Sequence, residues 1–413
     1  MKLAINQERL SRELDILGGI SAAAPPVVTR VVYTEADLRG REFVKGLCLE
    51  AGLPVREDPA GNTFARWMGD DPDLAAVATG SHIDAIPNAG RYDGTVGVLG
   101  GLEAIRALAT AGFRPRRSIE LLIFTSEEPT RFGIGCLGSR LMAGLLDPSA
   151  GESLRDRDGI SLDRAREDAG FRGPLSAVRL AMGAYSAFLE LHIEQGPILE
   201  QRGLPIGVVT AIAAPASLKI LFEGEGGHAG AVLMPDRHDA FLAAAEIALA
   251  VEAGARATGS VDTVGTVGVC DVFPGAVNSI PSRTRIELDV RDIDEKRRDS
   301  VLDKIAGTCA EVASRRGVTV HTELVNADPP AQCAPALVDA LARACETHGL
   351  AFERMISRAY HDSLFMTRIA PTGMLFIPCR GGVSHRPDEY ASPEAIAKGA
   401  LVLAETLAGL SAG

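Results

Sequence analysis

The chain has 413 residues, which is enough for two or three domains with buried interiors. Hydrophobic residues make up 46% of it and charged residues 23%, a composition that argues against a disordered chain. The 54 acidic and 42 basic residues leave a net charge of −12, which argues against nucleic acid or an anionic membrane as the main partner. The seven cysteines are scattered and never form a C-x-x-C pair, so neither a disulfide framework nor a zinc finger is predicted.

The first segment, MKLAINQERLSRELDIL, predicts a structural helix, because Leu10, Leu14 and Leu17 are spaced as one helix face. It lacks the uninterrupted apolar core of a signal peptide. No stretch of about 18 apolar residues follows, so we expect no membrane span and a cytoplasmic protein.

Through the first 200 residues apolar runs alternate with amphipathic stretches, which is typical of an α/β sheet with helices on its faces. Strands are predicted at 74–84, 118–128 and 187–196. These strands are apolar and end in polar residues. In open α/β sheets the chemistry gathers at the carboxyl ends of the strands, so we expect a site there.

The pattern changes near residue 208, where strands and helices of mixed order predict a compact α+β insert of about 120 residues. A last set of strands and a final helix then resume the α/β pattern. We therefore expect a discontinuous catalytic domain of residues 1–208 and 328–413, and a second domain of residues 209–327.

The first polar strand end, TGSHIDAIPNAGRYDG, contains His82, Asp84 and Asp93. Residues two apart on a strand project to the same face, so Asp84 can hold the His82 imidazole in one tautomer. Asp93 lies in a glycine-rich loop that opens a helix, where it can bridge two cations or serve as an ordinary helix cap.

The second polar strand end, FTSEEPTRFG, contains the consecutive Glu127 and Glu128. Adjacent strand residues point to opposite faces, so the two carboxylates share a site only if the strand ends there, which Pro129 favours. One carboxylate would bind a metal and the other would act as general base, because activated water needs an acceptor that is not itself a ligand. A solvated acidic turn is the alternative.

Three histidines complete the candidate set: His192 in LELHIEQGPILE, His385 in GGVSHRPDEYAS and His228 in EGEGGHAGAVLMPDRHDA. Imidazoles and carboxylates suit Zn, Mn, Co or Ni, and a set without cysteine argues against a closed structural zinc. Two metal sites that share Asp93 would generate a nucleophile from water, so the expected reaction class is hydrolysis.

The order of these residues, over nearly the whole chain, resembles that of the co-catalytic metallohydrolases of the M20 peptidase superfamily. The resemblance is to the branch that acts on carbamoyl and ureido compounds. The resemblance implies a zinc-peptidase-like catalytic domain, with a central mixed sheet flanked by helices, and an inserted lid domain through which homodimers form. It also implies two divalent metal ions per subunit, Mn or Zn with Co or Ni possible, and these ligands: His82, Asp93, Glu128, His192 and His385.

The same resemblance implies that Glu127 is the general base and that Asp84 assists catalysis. LELHIEQGP, NSIPSRTRIELDVRD and the GGHAG turn look like the carbamoylase branch. That branch binds substrate through positions that fall here on Gln195, His228, Asn278, Arg291 and His361. An arginine fork matches a carboxylate, and His and Asn side chains can bond a ureido oxygen, so His228 would also stabilise an oxyanion.

Two of these substrate assignments have structural alternatives. Arg291 can instead form a surface ion pair with Asp289 or Asp292. His361 can form a buried pair with Asp362 that only shapes its loop.

Within the branch, FTSEEPTRFGIGCLGSRLMAG and ISRAYHDSLFMTRIAPTGMLFIPC are similar to ureidoglycolate amidohydrolases. This similarity implies hydrolysis of ureidoglycolate to glyoxylate, with release of ammonia and CO₂. Allantoate and N-carbamoyl-L-amino acids are the alternative substrates. A protein of another functional class, a non-catalytic binding module of the same fold, is the alternative to an enzyme.

Overall fold

In the computed structural model, which describes residues 2–413, the chain forms two compact units. The first contains the chain up to Thr210 together with Gln332–Met355 and His361–Gly413, and the second contains Ala211–Ala331 and Ile356–Tyr360. The short segment Ile356–Tyr360 groups with the second unit, whereas the sequence predicted it to lie in the catalytic domain. It is held there by the N–H of Ala213, which donates to the Ser357 carbonyl at 2.8 Å.

The strands are, in chain order, β1 (Val28–Arg30), β2 (Val55–Glu57), β3 (Thr63–Trp67), β4 (Ala76–His82), β5 (Ala85–Ala89), β6 (Ile119–Phe124), β7 (Tyr185–Ile193), β8 (Ile206–Ile212), β9 (Ala214–Glu223), β10 (Gly227–His228), β11 (Val264–Phe273), β12 (Ser279–Ile280), β13 (Arg283–Asp292), β14 (Thr319–Ala327), β15 (Ala331–Gln332), β16 (Phe352–Ser357) and β17 (Thr372–Ile377). The helices are α1 (Gln7–Gly19), α2 (Glu35–Glu50), α3 (Thr95–Thr110), α4 (Leu137–Ala143), α5 (Ala150–Ser153), α6 (Leu162–Asp168), α7 (Ile198–Arg202), α8 (Ala240–Arg256), α9 (Glu295–Arg316), α10 (Pro335–Thr347), α11 (Asp362–Met366) and α12 (Pro393–Ser411).

The first unit is built on a nine-stranded sheet of order β15-β8-β17-β7-β4-β6-β3-β2, with β16 paired to β8. Its four central strands, β17, β7, β4 and β6, are parallel, whereas β3 and β8 run antiparallel to their neighbours. The predicted α/β fold with a central mixed sheet is therefore confirmed. Because the four central strands point the same way, the loops that follow them leave the sheet at one edge.

Burial on both faces explains the continuous apolar sequence of these central strands. Every residue of β4, β6 and β17 is buried. On one face, the Phe124 and Phe188 rings meet edge to face with centroids 5.7 Å apart. The N-terminal helix α1 buries the predicted face of Leu10, Leu14 and Leu17.

The second unit is a four-stranded antiparallel sheet of order β11-β13-β9-β14, with α8 and α9 packed against it. Strand β13 alternates buried and accessible positions, as expected for a sheet with one covered face. Ile286 and Leu288 of β13 pack with Ile247 of α8 and Val301 of α9 in its core. No helix in the described part of the chain is long and apolar enough to cross a membrane.

Candidate metal centre

His82, the last residue of β4, has a ring orientation suited to metal binding. Its Nδ1 lies 3.0 Å from the carbonyl oxygen of Asp84, so Nδ1 donates to that oxygen and Nε2 is the ring atom left for a metal. Nε2 is buried, has no hydrogen-bond partner among the described residues, and lies 3.4 Å from Oδ1 of Asp93. A buried ring nitrogen that faces a carboxylate requires positive charge between the two, either a proton on the ring or a bound cation.

Asp84 connects the first two loops of the site. Asp84 is not on strand β4, because that strand ends at His82. The Oδ1 atom of Asp84 lies 3.6 Å from His82 Nδ1, whereas its main-chain oxygen lies 3.0 Å from the same nitrogen. Its carboxylate instead accepts the N–H groups of Glu127 and Glu128, at 3.1 and 3.0 Å. Asp84 thus orients His82 mainly through its backbone, and it fixes the Glu127-Glu128 turn through its side chain.

Glu127 and Glu128 lie in a loop after β6, so both carboxylates can reach the same site. Strand β6 ends at Phe124, and Ser126 adopts a positive φ of 55°, which turns the chain before Glu127. Glu127 Oε2 then lies 3.7 Å from His82 Nε2, and Glu128 Oε1 lies 3.2 Å from His385 Nε2. Burial raises the pKa of Glu127 well above its ordinary value; the charge of His82 opposes this rise and that of Glu128 adds to it.

Asp93 lies between the histidines at the start of α3. Its Oδ1 is 3.3 Å from His192 Nε2, and its Oδ2 is 3.6 Å from His385 Nε2. Gly94, with φ of 65°, begins the helix and donates its N–H to His192 Nε2 at 3.1 Å. A Cβ at Gly94 would lie 2.5 Å from His82 Nε2, so only glycine lets the loop approach the imidazole this closely.

His192 has the same ring orientation as His82, since its Nδ1 lies 2.9 Å from the Ile193 carbonyl oxygen and Nε2 faces Asp93. Burial works to raise the pKa of Asp93, but the neighbouring imidazoles of His192 and His82 hold it well below its usual value. Gln195, a predicted substrate residue, donates from Nε2 to Asp93 Oδ2 at 2.6 Å.

Glu389 is a site residue that sequence reasoning missed. Its carboxylate accepts the N–H groups of Tyr92 and Asp93, at 2.7 and 3.1 Å, and the hydroxyl oxygen of Ser384 lies 2.9 Å from it. Ser384 Oγ also lies 2.5 Å from Asp93 Oδ2. Burial raises the pKa of Glu389 to about 7, and the nearby charge of Asp93 adds to the rise. Glu389 thus joins the loop of Asp93 to the loop of His385, although in sequence it is one more charge in a polar loop.

The donor set fits divalent cations. His82, Asp93 and His192 offer ligand atoms within 4.8 Å of one another, and so do Asp93, Glu128 and His385. The two groups share Asp93, and their nitrogen and oxygen donors suit Zn or Mn. Buried carboxylates and imidazole lone pairs are costly to bring together without positive charge, so the arrangement itself calls for cations.

His361 lies in the first unit, buried against the site. Its ring centroid is 4.6 Å from that of His192 and 5.8 Å from that of Phe376. Its neighbour Asp362 accepts a hydrogen bond from Ser139 Oγ at 2.5 Å. His361 thus packs against the His192 ring, and its contact with substrate stays a prediction.

The other predicted substrate residues belong to the second unit. His228 is exposed, and its Nδ1 accepts the N–H of Gly230 at 3.1 Å. The carbonyl of Asn278 accepts the N–H of Ala229 at 2.9 Å, which brings the His228 and Asn278 segments together. Arg291 forms an ion pair with Asp289 at 2.7 Å. That ion pair is one of the two structural alternatives named for this arginine.

Comparison with known proteins places this geometry in a family. A family model described as Peptidase family M20/M25/M40 matches residues 78–409. Ureidoglycolate hydrolase of Oryza sativa subsp. japonica is 54% identical over 98% of this chain and 85% of its own, and that of Arabidopsis thaliana is 55% identical over 99% and 87%. The crystal structure of AtUAH in complex with glyoxylate superposes with a TM-score of 0.92 at 55% identity, covering 99% of this chain and 98% of that one. The chain therefore belongs to the peptidase family M20/M25/M40.

Proposed function

We propose that this protein hydrolyses a C–N bond of a ureido group on a small carboxylate, and that its substrate is ureidoglycolate, converted to glyoxylate, ammonia and CO₂. The observation that carries the proposal is the pair of donor groups that share Asp93, with the carboxylate of Glu127 beside them. Near-complete alignment with the two plant ureidoglycolate hydrolases supports the choice of substrate.

The proposed centre holds two divalent cations, Mn or Zn with Co or Ni as alternatives. One would be held by His82, Asp93 and His192, and the other by Asp93, Glu128 and His385. Such cations polarise a carbonyl group and lower the pKa of water, which makes hydrolysis of an unreactive ureido group feasible near neutral pH.

In this mechanism Glu127 takes the proton from the attacking water and delivers it to the departing ammonia. Burial raises the pKa of Glu127, and a carboxylate of raised pKa is a stronger base toward the attacking water. The hydrogen bonds that the Glu127 and Glu128 N–H groups donate to the Asp84 carboxylate keep the base and the ligand in fixed relative positions.

In the second unit, Arg291 and Asn278 would bind the substrate carboxylate, and His228 would stabilise the oxyanion. The exposed imidazole of His228 and the partly exposed guanidinium of Arg291 are open to a ligand. A guanidinium already paired with Asp289 can exchange that partner for a substrate carboxylate of the same geometry.

The test is ammonia release from the Mn-loaded protein with ureidoglycolate, allantoate and an N-carbamoyl-L-amino acid. We expect ureidoglycolate to be hydrolysed with the highest kcat/KM, and chelation of the metal to abolish turnover. The Glu127→Gln variant should keep its Mn content and lose turnover. A protein that binds Mn fully and releases ammonia from none of the three substrates would refute the proposed function, and preference for allantoate or the carbamoyl amino acid would refute the substrate.

We also propose a homodimer formed through the second unit, in the cytoplasm. Strand β11 is an edge strand of its sheet, and the exposed Val264 and Phe273 lie along it. A long, apolar strand edge requires a cover, and pairing with a second copy provides one. The seven cysteines are free thiols, which accords with a reducing compartment.

Light scattering of the purified protein tests the dimer; a monomer at micromolar concentration would contradict it. If His228 serves the partner's site, mixing His228→Ala and Glu127→Ala proteins should recover activity in heterodimers. Failure to recover any activity would show that each subunit uses its own His228.

A further inference from the structure

Cys136 is a fully buried residue that contacts Glu127 twice. Its Sγ lies 3.5 Å from Glu127 Oε1, and its backbone N–H donates to the Glu127 carbonyl at 2.7 Å. Burial raises the pKa of the Cys136 thiol well above its ordinary value, and the charge of Glu127 raises it further, so the side chain stays an S–H donor. The contact is therefore a hydrogen bond from a neutral thiol to a carboxylate.

The backbone of Cys136 has a conformation that is unfavourable for a residue with a side chain. Its φ of 53° and ψ of 37° lie in the left-handed region, which glycine adopts freely and cysteine adopts at a cost. Of the six non-glycine residues with positive φ in the described part of the chain, Ser126, Gln195 and His385 lie at the metal centre with Cys136, whereas Tyr33 and Asn88 do not belong to it. Ser126 directly precedes Glu127, Gln195 contacts Asp93, and His385 belongs to a donor group. Strain at Cys136 therefore points to a task at the same site.

The Glu127 carboxylate has two oxygens in different environments. The Cys136 thiol is a side-chain donor to this carboxylate, and it reaches Oε1. The other oxygen, Oε2, faces His82 Nε2 at 3.7 Å. The carboxylate thus has one oxygen on the thiol and the other turned toward the donor groups.

We propose that Cys136 is a positioning residue for the general base: its thiol holds Glu127 Oε1, so that Oε2 points at the metal centre. The inference rests on the proposed role of Glu127 as base. A thiol suits this task because it is a weak donor, which orients the carboxylate without strongly stabilising its charge. A hydroxyl would orient it equally but bind it more tightly.

Kinetics of Cys136→Ala and Cys136→Ser on ureidoglycolate provide the first test. Misplacement of a reacting group by about 1 Å can cost on the order of 100-fold in rate. We therefore expect Cys136→Ala to lower kcat by roughly 10- to 100-fold, with KM and Mn content near native values. The Ser variant, which restores a donor, should recover most of that loss. The matched control is Cys345→Ala, which removes an equally buried thiol from α10 and should leave kcat unchanged.

Native kcat in Cys136→Ala would overturn the proposal. So would a fall in kcat that Ser does not relieve and that follows a lower melting temperature and lost Mn, because that pattern marks a packing role only.

The S–H stretching band in difference infrared spectra provides a second test that needs no substrate. The band that disappears in Cys136→Ala belongs to this thiol. In Glu127→Ala the band should move to higher frequency, because the thiol has lost its acceptor. A band that does not move would overturn the proposed contact, even in an active enzyme. If the native protein hydrolyses no ureide, the proposed function fails, and the band still reports on the contact.

Discussion

Replacement of Glu389 by Ala is the sharpest test of how the metal centre is held together. The variant removes the acceptor of two backbone N–H groups, those of Tyr92 and Asp93, and a neighbour of the Ser384 hydroxyl. Each buried donor left without a partner costs about 1–3 kcal/mol. A position in which water binds these N–H groups therefore has the lower free energy, and the Asp93 loop should move toward it. Because that movement displaces the carboxylate shared by both donor groups, metal affinity should fall.

Loss of a residue that orients metal ligands typically weakens metal binding by about 10- to 100-fold. By linkage, the stabilisation that saturating Mn gives to the folded protein should then shrink by about 1.4–2.7 kcal/mol. The assay is calorimetric titration of the metal-free protein with Mn, paired with urea unfolding with and without Mn. Glu389→Gln keeps an acceptor for the N–H groups and should bind Mn more tightly than Glu389→Ala.

The matched control is Glu394→Ala, five residues after Glu389, which removes an exposed carboxylate that is paired with Lys398. It should bind Mn as the native protein does. Native Mn affinity in Glu389→Ala would refute the reasoning, because the position of Asp93 would then not depend on Glu389.

Three further predictions concern the same site. A Cβ at Gly90 would lie 2.3 Å from the Glu389 Cβ, so Gly90→Ala should weaken Mn binding as Glu389→Ala does; unchanged titration isotherms would contradict this. Arg291→Lys replaces a bidentate fork with a point charge and should raise the KM for ureidoglycolate by roughly tenfold with little change in kcat; an unchanged KM would remove Arg291 from the substrate site. Burial and the nearby charge of Glu190 raise the pKa of Asp362 to about 8. The folded state therefore keeps a proton that the unfolded state loses near pH 4, and urea unfolding of the metal-free protein should show stability falling as pH rises from about 4 to about 8.

Several features of the site could be predicted because they depend on local sequence. Apolar runs that end in His82 and just before Glu127 predict buried strands whose polar ends meet at one sheet edge, and the parallel pairing of β4 and β6 brings them there. Pro129 correctly indicated that β6 does not continue through the glutamates. Spacing alone also assigned His82 and Asp84 to one strand face, which is wrong, because the strand ends at His82 and Asp84 turns to the Glu127 and Glu128 N–H groups.

The sequence by itself determined the alternation of strands and helices and the kinds of ligand at the strand ends, because burial and side-chain periodicity act over a few residues. Only the tertiary structure decided which partners those ligands have. Glu389 lies almost 300 positions from Asp93, yet it accepts that residue's N–H. Arg291 pairs with Asp289 on the same face of β13, whereas Asp292 on the opposite face pairs with Arg297. Such pairings depend on how distant loops meet, and a polar loop residue has the same local sequence signature whether it faces water or a buried N–H group.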